Sequence, residues 1–362
     1  MRPFSQMAGP LVSVVVPTYN RAYCLARTLD SALGQTHGNV EIILIDDGST
    51  DETEALVREK YGKDERVRYN RQANTGISGA RNAGLRLVRG DYVALLDSDD
   101  VWLPWKLEAQ LACMQAHPEL GMTWTNMVAV DPDDKVTSEV YLRRMYSAYR
   151  WFPTIDDLFK NSQTLAELSP GTAAATGEKR FYYGEISSQM LMGNLVHTST
   201  VLMTRPCADQ IKAFREDLRL AGEDYEFHLR TCRRGPVGYL DISSIRYQVG
   251  RADQATKPAN NIALAKNFLT VIKPIIETER DKISLPKSMQ DTVMAEAHLW
   301  YGETLLAAGD RTGARREIIR SLARSPRQPH AAKMLMISCL PRTLHDAARS
   351  AIRAIWRGQA RM

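Results

Sequence analysis

Residues 11–116 alternate four times between a short apolar run and an amphipathic stretch, and this alternation narrows the possible folds more than any other feature of the chain. Residues 11–16 (Leu-Val-Ser-Val-Val-Val), 40–45, 67–69 and 92–96 are rich in β-branched or aromatic residues and too short for buried helices, so they read as strands. After the first run, Leu25, Leu29, Ala32 and Leu33 recur at helical spacing. After the second, Ser49 followed by Glu52 has the pattern of a capping box, and Asp51, Glu52 and Glu54 suit the first turn of a helix running to about residue 60. A third helix is predicted over residues 78–88, and Trp102-Leu103-Pro104 opens a fourth that runs to about residue 116. Strand and helix in strict alternation predict an α/β, Rossmann-like, doubly wound and mostly parallel sheet.

Two of these strands run straight into acid. The second ends in Asp46-Asp47-Gly48, and the fourth in Asp97-Ser98-Asp99-Asp100. In open α/β sheets, ligands bind beyond the carboxyl ends of the strands, so both carboxylate groups are predicted on one edge of the sheet. Three neighbouring carboxylates repel one another unless a cation or solvent neutralises them, and Mg²⁺ or Mn²⁺ prefers oxygen ligands of this kind. The plainer alternative is an acidic loop that caps the next helix.

Further along, residues 121–130 read as a fifth strand, residues 131–190 as an aromatic-rich but irregular insertion over the site, and residues 198–203 as another strand. Gly222-Glu223-Asp224 precedes a helix that stops at Gly235-Pro236, and residues 237–245 follow as a strand. The expected division is a catalytic domain over 1–250, a linker and helix over 251–285, and a C-terminal helical extension over 286–362. Within that extension one helical hairpin resembles a tetratricopeptide unit. Residues 342–362 carry Arg349, Arg353, Arg357 and Arg361 on one helical face and Leu344, Ala348, Ile352, Ile355 and Trp356 on the other. That helix fits peripheral contact with an anionic membrane surface, or ordinary packing with solvated arginines.

Composition excludes several classes. Lys+Arg 47 against Asp+Glu 42 is too mild a balance to argue for nucleic acid. Five scattered cysteines without a Cys-x-x-Cys indicate neither a disulfide framework nor zinc, and fit a reducing cytoplasm. No stretch of 18 apolar residues occurs, and the apolar run near the N-terminus is too short for a signal-peptide core. The expected location is therefore cytoplasmic, with peripheral contact at the inner face of the plasma membrane through residues 342–362.

Six short motifs now stand in order: Pro17-Thr18-Tyr19-Asn20-Arg21, Asp46-Asp47-Gly48-Ser49-Thr50-Asp51, Asn74-x-Gly76, Ala80-Arg81-Asn82-x-Gly84, Asp97-Ser98-Asp99-Asp100 and Gly222-Glu223-Asp224. Together they resemble the family 2 glycosyltransferases, inverting enzymes of the GT-A fold, over about residues 10–250. The resemblance implies a nucleotide-diphosphate sugar donor, and a glycan or lipid-linked acceptor in bacterial surface glycan or polysaccharide synthesis. It implies that Pro17, Thr18 and Tyr19 contact the nucleoside, that Asp46 accepts a hydrogen bond from the base, and that Arg81 contacts the diphosphate. Asp47 supports the turn or caps the next helix.

Asp97 and Asp99 resemble the Asp-x-Asp pair that holds Mn²⁺ or Mg²⁺, with Asp97 alternatively facing the ribose; Asp100 caps the helix near Trp102. Asp224 resembles the general base and Glu223 its orienting neighbour. Arg246-Tyr247-Gln248-x-x-Arg251 stands where processive members carry Gln-x-x-Arg-Trp, but no Trp follows Arg251. A single-transfer enzyme is therefore expected, with Arg251 as a further diphosphate contact. A sugar-nucleotide nucleotidyltransferase is the alternative enzyme, although it would carry a Gly-rich basic loop after the first strand. An inactive glycosyltransferase-like binding protein is the non-enzymatic alternative, against which the intact carboxylates argue.

Overall fold

The computed structural model describes residues 9–218, 220–250 and 260–340. They fall into two compact units: an α/β unit of residues 9–217 and 223–250, and a helical unit that comprises residues 218, 220–222 and 260–340.

The α/β unit is built on one sheet. Its first four strands are β1 (Val12–Thr18), β2 (Val40–Asp46), β3 (Val67–Arg71) and β4 (Tyr92–Leu95). They lie in the order β3-β2-β1-β4 and all pair in parallel. Every residue of β1 and β2 is buried, as expected of strands covered on both faces by helices. Those helices are α1 (Leu25–Leu33), α2 (Thr53–Tyr61), α3 (Gly76–Leu85) and α4 (Lys106–Ala116). Beyond β4 the sheet becomes mixed. The remaining strands are β5 (Val101–Trp102), β6 (Met122–Val130), β7 (Val136–Ser138), β8 (Asn161–Thr164), β9 (Arg180–Gly184), β10 (Leu202–Thr204) and β11 (Val237–Gln248). β10 inserts antiparallel between β4 and β6, while β11 pairs with β6 in parallel.

Four sequence expectations are corrected. Trp102 does not open a helix: Val101–Trp102 pairs with β11, the indole Nε1 donates to the Ser199 carbonyl at 2.8 Å, and α4 starts only at Lys106. Burying a large aromatic with its polar atom satisfied outweighs the helix signal of Pro104. Residues 131–190 are not simply irregular, since β8 and β9 extend the sheet past β11 and Phe181 packs into the core beside Leu240 and Ile242. Residues 198–203 form a 3₁₀ turn, Thr198–Thr200, before the short β10. Finally, Ser49 and Glu52 make no capping box: α2 has no side-chain cap, and the Ser49 hydroxyl instead accepts from the Asn20 backbone N–H at 2.9 Å.

The helical unit contains Asn261–Thr278, Lys287–Ala308, Arg311–Arg324 and Pro329–Cys339. The tight turn of its central hairpin uses Gly309 at φ +96° and the Asp310 side chain, which accepts from the Gly313 N–H at 2.8 Å. Leu305, Leu306, Ala314, Ile318, Ala331 and Met334 form its core. None of the described helices is long and apolar enough to cross a membrane. Arg251 and residues 342–362 lie outside the described residues.

Candidate active site

The ends of β2, β1 and β4 lie side by side. Thr18 is in register with Asp46, and Leu95 with Val15, so Asp97 follows β4 on the same edge of the sheet. Two strand spacings separate the β2 and β4 ends, about 10 Å.

What closes this edge is Arg81 of α3. Its guanidinium donates to Asp97 Oδ1 at 2.7 Å and to Glu223 Oε1 at 2.9 Å, and it lies 5.1 Å from the centre of the Phe214 ring. Arg81 is 4% exposed, its fork reaches two carboxylates, and its Nε has no hydrogen-bond partner among the described residues. Asn82 next to it pins the Phe214 backbone, accepting from its N–H at 2.7 Å and donating to its carbonyl at 3.0 Å. Glu223 and Asp224 occupy the first turn of the helix Glu223–Cys232, where the dipole favours negative charge.

These contacts set the charge states. Burial works against the Asp97 charge, but Arg81 outweighs it and holds the carboxyl below its ordinary range. Glu223 is pushed up to about 7 by burial and then by the Asp224 charge, with Arg81 opposing. Burial also raises Asp224, against the pull of Arg81. A carboxylate raised in this way is a stronger base than a free one. One turn further along the helix, His228 is driven down to about 3 by burial and by Arg81, and stays neutral.

On the β1–β2 side, Pro17 and Thr18 are buried and Tyr19 is exposed. The Thr18 hydroxyl is enclosed without a hydrogen-bond partner, the state of a group that a ligand completes. Asp46 is fully buried: Oδ1 accepts from the Ser49 N–H at 2.7 Å and Oδ2 from the Tyr69 hydroxyl at 2.6 Å. Asp47 accepts from the Thr75 and Gly76 N–H groups at 2.9 and 2.8 Å, so it caps α3 rather than the helix that follows it in sequence.

Asp99 is partly exposed and faces a pocket with Cys24, Thr28, Val101 and Gln248 on its walls; Arg27 and Arg246 there each pair with Asp134 at 3.2 Å. Among the described residues no group of three or more His, Cys, Asp or Glu could hold a metal unaided. Asp97 and Asp99, two carboxylates at the strand end, suit a hard cation that draws its other ligands from phosphate and water.

No motif or periodicity marks His197 in the sequence. It meets Asp100 through Nε2 at 3.2 Å and the Tyr146 hydroxyl through Nδ1 at 3.2 Å. Asp100 therefore does not cap the helix after Trp102. Tyr69 and Phe214 were equally silent, since each works only through a partner far away in the chain.

Residues 13–169 match the model described as Glycosyl transferase family 2. Chondroitin synthase of Escherichia coli is 38% identical over 138 residues, 38% of this chain and 20% of that protein. Hyaluronan synthase of Pasteurella multocida is 37% identical over 132 residues, 36% of this chain and 14% of that protein. An uncharacterized glycosyltransferase of Haemophilus influenzae is 43% identical over 127 residues, 34% of this chain and 50% of that protein. The chain thus spans half or less of these relatives.

Among solved structures, S. aureus TarS 1–349 in complex with UDP-GlcNAc is similar in fold, with TM-score 0.58 and 17% identity over 96% of this chain and 92% of that one. The mannosyltransferase PcManGT of Pyrobaculum calidifontis, in complex with GDP-Man and Mn²⁺, has TM-score 0.51 and 18% identity over 95% of this chain and 86% of that one. The family match over residues 13–169 includes β1 to β4 and the Asp97–Asp99 strand end, and the fold around them is similar to that of these structures.

Proposed function

We propose that the protein transfers a sugar from a nucleotide-diphosphate donor to an acceptor hydroxyl, once per encounter and with inversion. The observation that carries this reading is the Arg81 bridge, which holds Asp97 of the β4 end and Glu223 of a helix 142 residues away to a single site. Tyr19 and the unpartnered Thr18 hydroxyl offer the nucleoside an aromatic face and a hydrogen bond. Asp46 receives the base once the Tyr69 hydroxyl yields its place.

Asp97 and Asp99 would hold Mn²⁺ or Mg²⁺ against the diphosphate. When bound, such an ion supplies positive charge where the leaving nucleoside diphosphate gains negative charge. Asp224 takes the proton of the attacking hydroxyl, and Glu223, fixed by Arg81, keeps it in place. One carboxylate suffices, in contrast to the acid–base pair of a glycoside hydrolase. The acceptor class we favour is a glycan or lipid-linked glycan of a bacterial surface polymer, in keeping with the polymer-forming relatives.

A panel of UDP- and GDP-sugars tested for thermal protection, with Mn²⁺ and with chelator, checks the donor reading, because a ligand bound to the native state raises its stability by mass action. One nucleotide sugar is expected to raise the melting temperature only with the metal. In the same assay Asp224→Asn should keep the shift and lose transfer. Protection by no member of the panel, or full transfer by Asp224→Asn, overturns the reading.

A further inference from the structure

We infer that Asp100, His197 and Tyr146 form a positioning chain that presents the Tyr146 hydroxyl to the acceptor beside Asp224; this rests on the glycosyltransferase reading above. The chain begins where Asp100 leaves the end of β4, its N–H bonded to the Asp97 carbonyl at 3.1 Å. Its carboxylate is 2% exposed and meets His197 Nε2 at 3.2 Å. This bond from Nε2 to the carboxylate orients the ring. The His197 backbone is held by Thr200, whose N–H and hydroxyl both donate to the His197 carbonyl, at 3.0 and 2.6 Å. Tyr247 closes the ring's flank edge-on, 5.2 Å between centres. His197 Nδ1 then meets the Tyr146 hydroxyl at 3.2 Å.

Tyr146 is the outer end of this chain. It is only half-buried, while Asp100 and His197 are enclosed. Burial raises its pKa, and Asp224, Tyr247 and Asp97 add to that, so the hydroxyl stays protonated. The turn that carries Tyr146 is anchored to β6: the Tyr141 N–H donates to the Met127 carbonyl at 2.9 Å, and the Leu142 N–H to the Asn126 side chain at 3.1 Å. β6 stands three places along the sheet from β1, with β4 and β10 between them. The nucleoside contacts lie at the β1 and β2 ends. A hydroxyl on the opposite side of Asp97, next to the base, faces the incoming alcohol rather than the donor. Tyr146 is therefore an acceptor-binding residue, and His197 and Asp100 are positioning residues acting through it.

The test uses the full chain, the donor selected by thermal protection, and a set of methyl glycosides as acceptors. The glycoside that most stimulates nucleotide release by the wild type is titrated against Tyr146→Phe and His197→Gln; the latter keeps an N–H toward Asp100 but drops the Nδ1 contact. Loss of one hydrogen bond to the acceptor should raise its KM about fivefold to tenfold, with kcat changed much less. The donor-induced thermal shift should persist in both variants, measured against each variant's own unliganded melting temperature, which the lost bond to His197 Nδ1 lowers. An unchanged acceptor KM in Tyr146→Phe overturns the inference. So does a loss of the donor shift in that variant, which would place the tyrosine on the donor side. Failure of the glycosyltransferase reading looks different, because no donor would then be selected at all.

Discussion

One guanidinium holding two carboxylates from distant parts of the chain makes Arg81 the residue on which the site's shape depends. Replacing it with Met keeps the volume but leaves Asp97 and the buried Glu223 without their countercharge. Breaking a buried pair from one side typically costs about 3–5 kcal/mol, and a urea denaturation curve of Arg81→Met should show a loss of that order. Arg81→Lys should recover only part, because an ammonium cannot reproduce the fork that reaches both carboxylates.

Glu223 gives a prediction in pH. Its folded pKa is raised to about 7, above the ordinary value, so its contribution is fully present below the unfolded pKa and is lost as pH rises through about 7. The stability difference between wild type and Glu223→Gln should therefore fall between about pH 4.3 and 7, measured as denaturation midpoints across that range. A difference flat in pH would remove the assignment. Asp97 and Asp224 were legible in the sequence because each stands at the predicted end of an element. The partners of Arg81 were not, because they are decided by which strand end and which helix tertiary packing brings to α3.

At the scale of elements, α3 explains why a short motif carries so much. Ala80 is buried, Arg81 spans the site, Asn82 pins the Phe214 segment, and Gly84 lies against β1, where an added Cβ would stand 2.3 Å from Val15 Cγ1. The helix must lie that close for Arg81 to reach Asp97. Gly84→Ala should therefore destabilise the fold by about 1–3 kcal/mol through overpacking, despite the better helix propensity of Ala. If chemical denaturation shows a gain instead, the close approach is not a requirement.

The parallel half of the sheet could be read directly, since β1, β2 and most of β4 are buried and so appear as largely apolar runs, while the edge strand β3 is only partly buried. The mixed half could not. β5 and β10 are two and three residues long, and their pairing is fixed by neighbours rather than by their own pattern. Tyr146 lies in the stretch between β7 and β8, where no periodicity marked it.

Charge is distributed unevenly over the whole molecule. Residues 309–362 hold twelve Lys and Arg against three Asp and Glu, so the rest of the chain carries more acid than base. A catalytic unit with an acidic site repels anionic surfaces, while a basic C-terminal region is drawn to them, each basic residue near such a surface contributing about 1 kcal/mol at most.

In a flotation assay the full chain should bind vesicles containing phosphatidylglycerol at low salt, bind neutral phosphatidylcholine vesicles weakly, and release as salt shortens the screening length. A chain ending at residue 341 loses five arginines and one aspartate, and should bind the anionic vesicles several-fold more weakly while keeping its donor-induced thermal shift. Equal binding by the two chains would mean that the terminal arginines serve something other than a lipid surface. Binding that survives high salt would mean that apolar insertion, not charge, drives the contact.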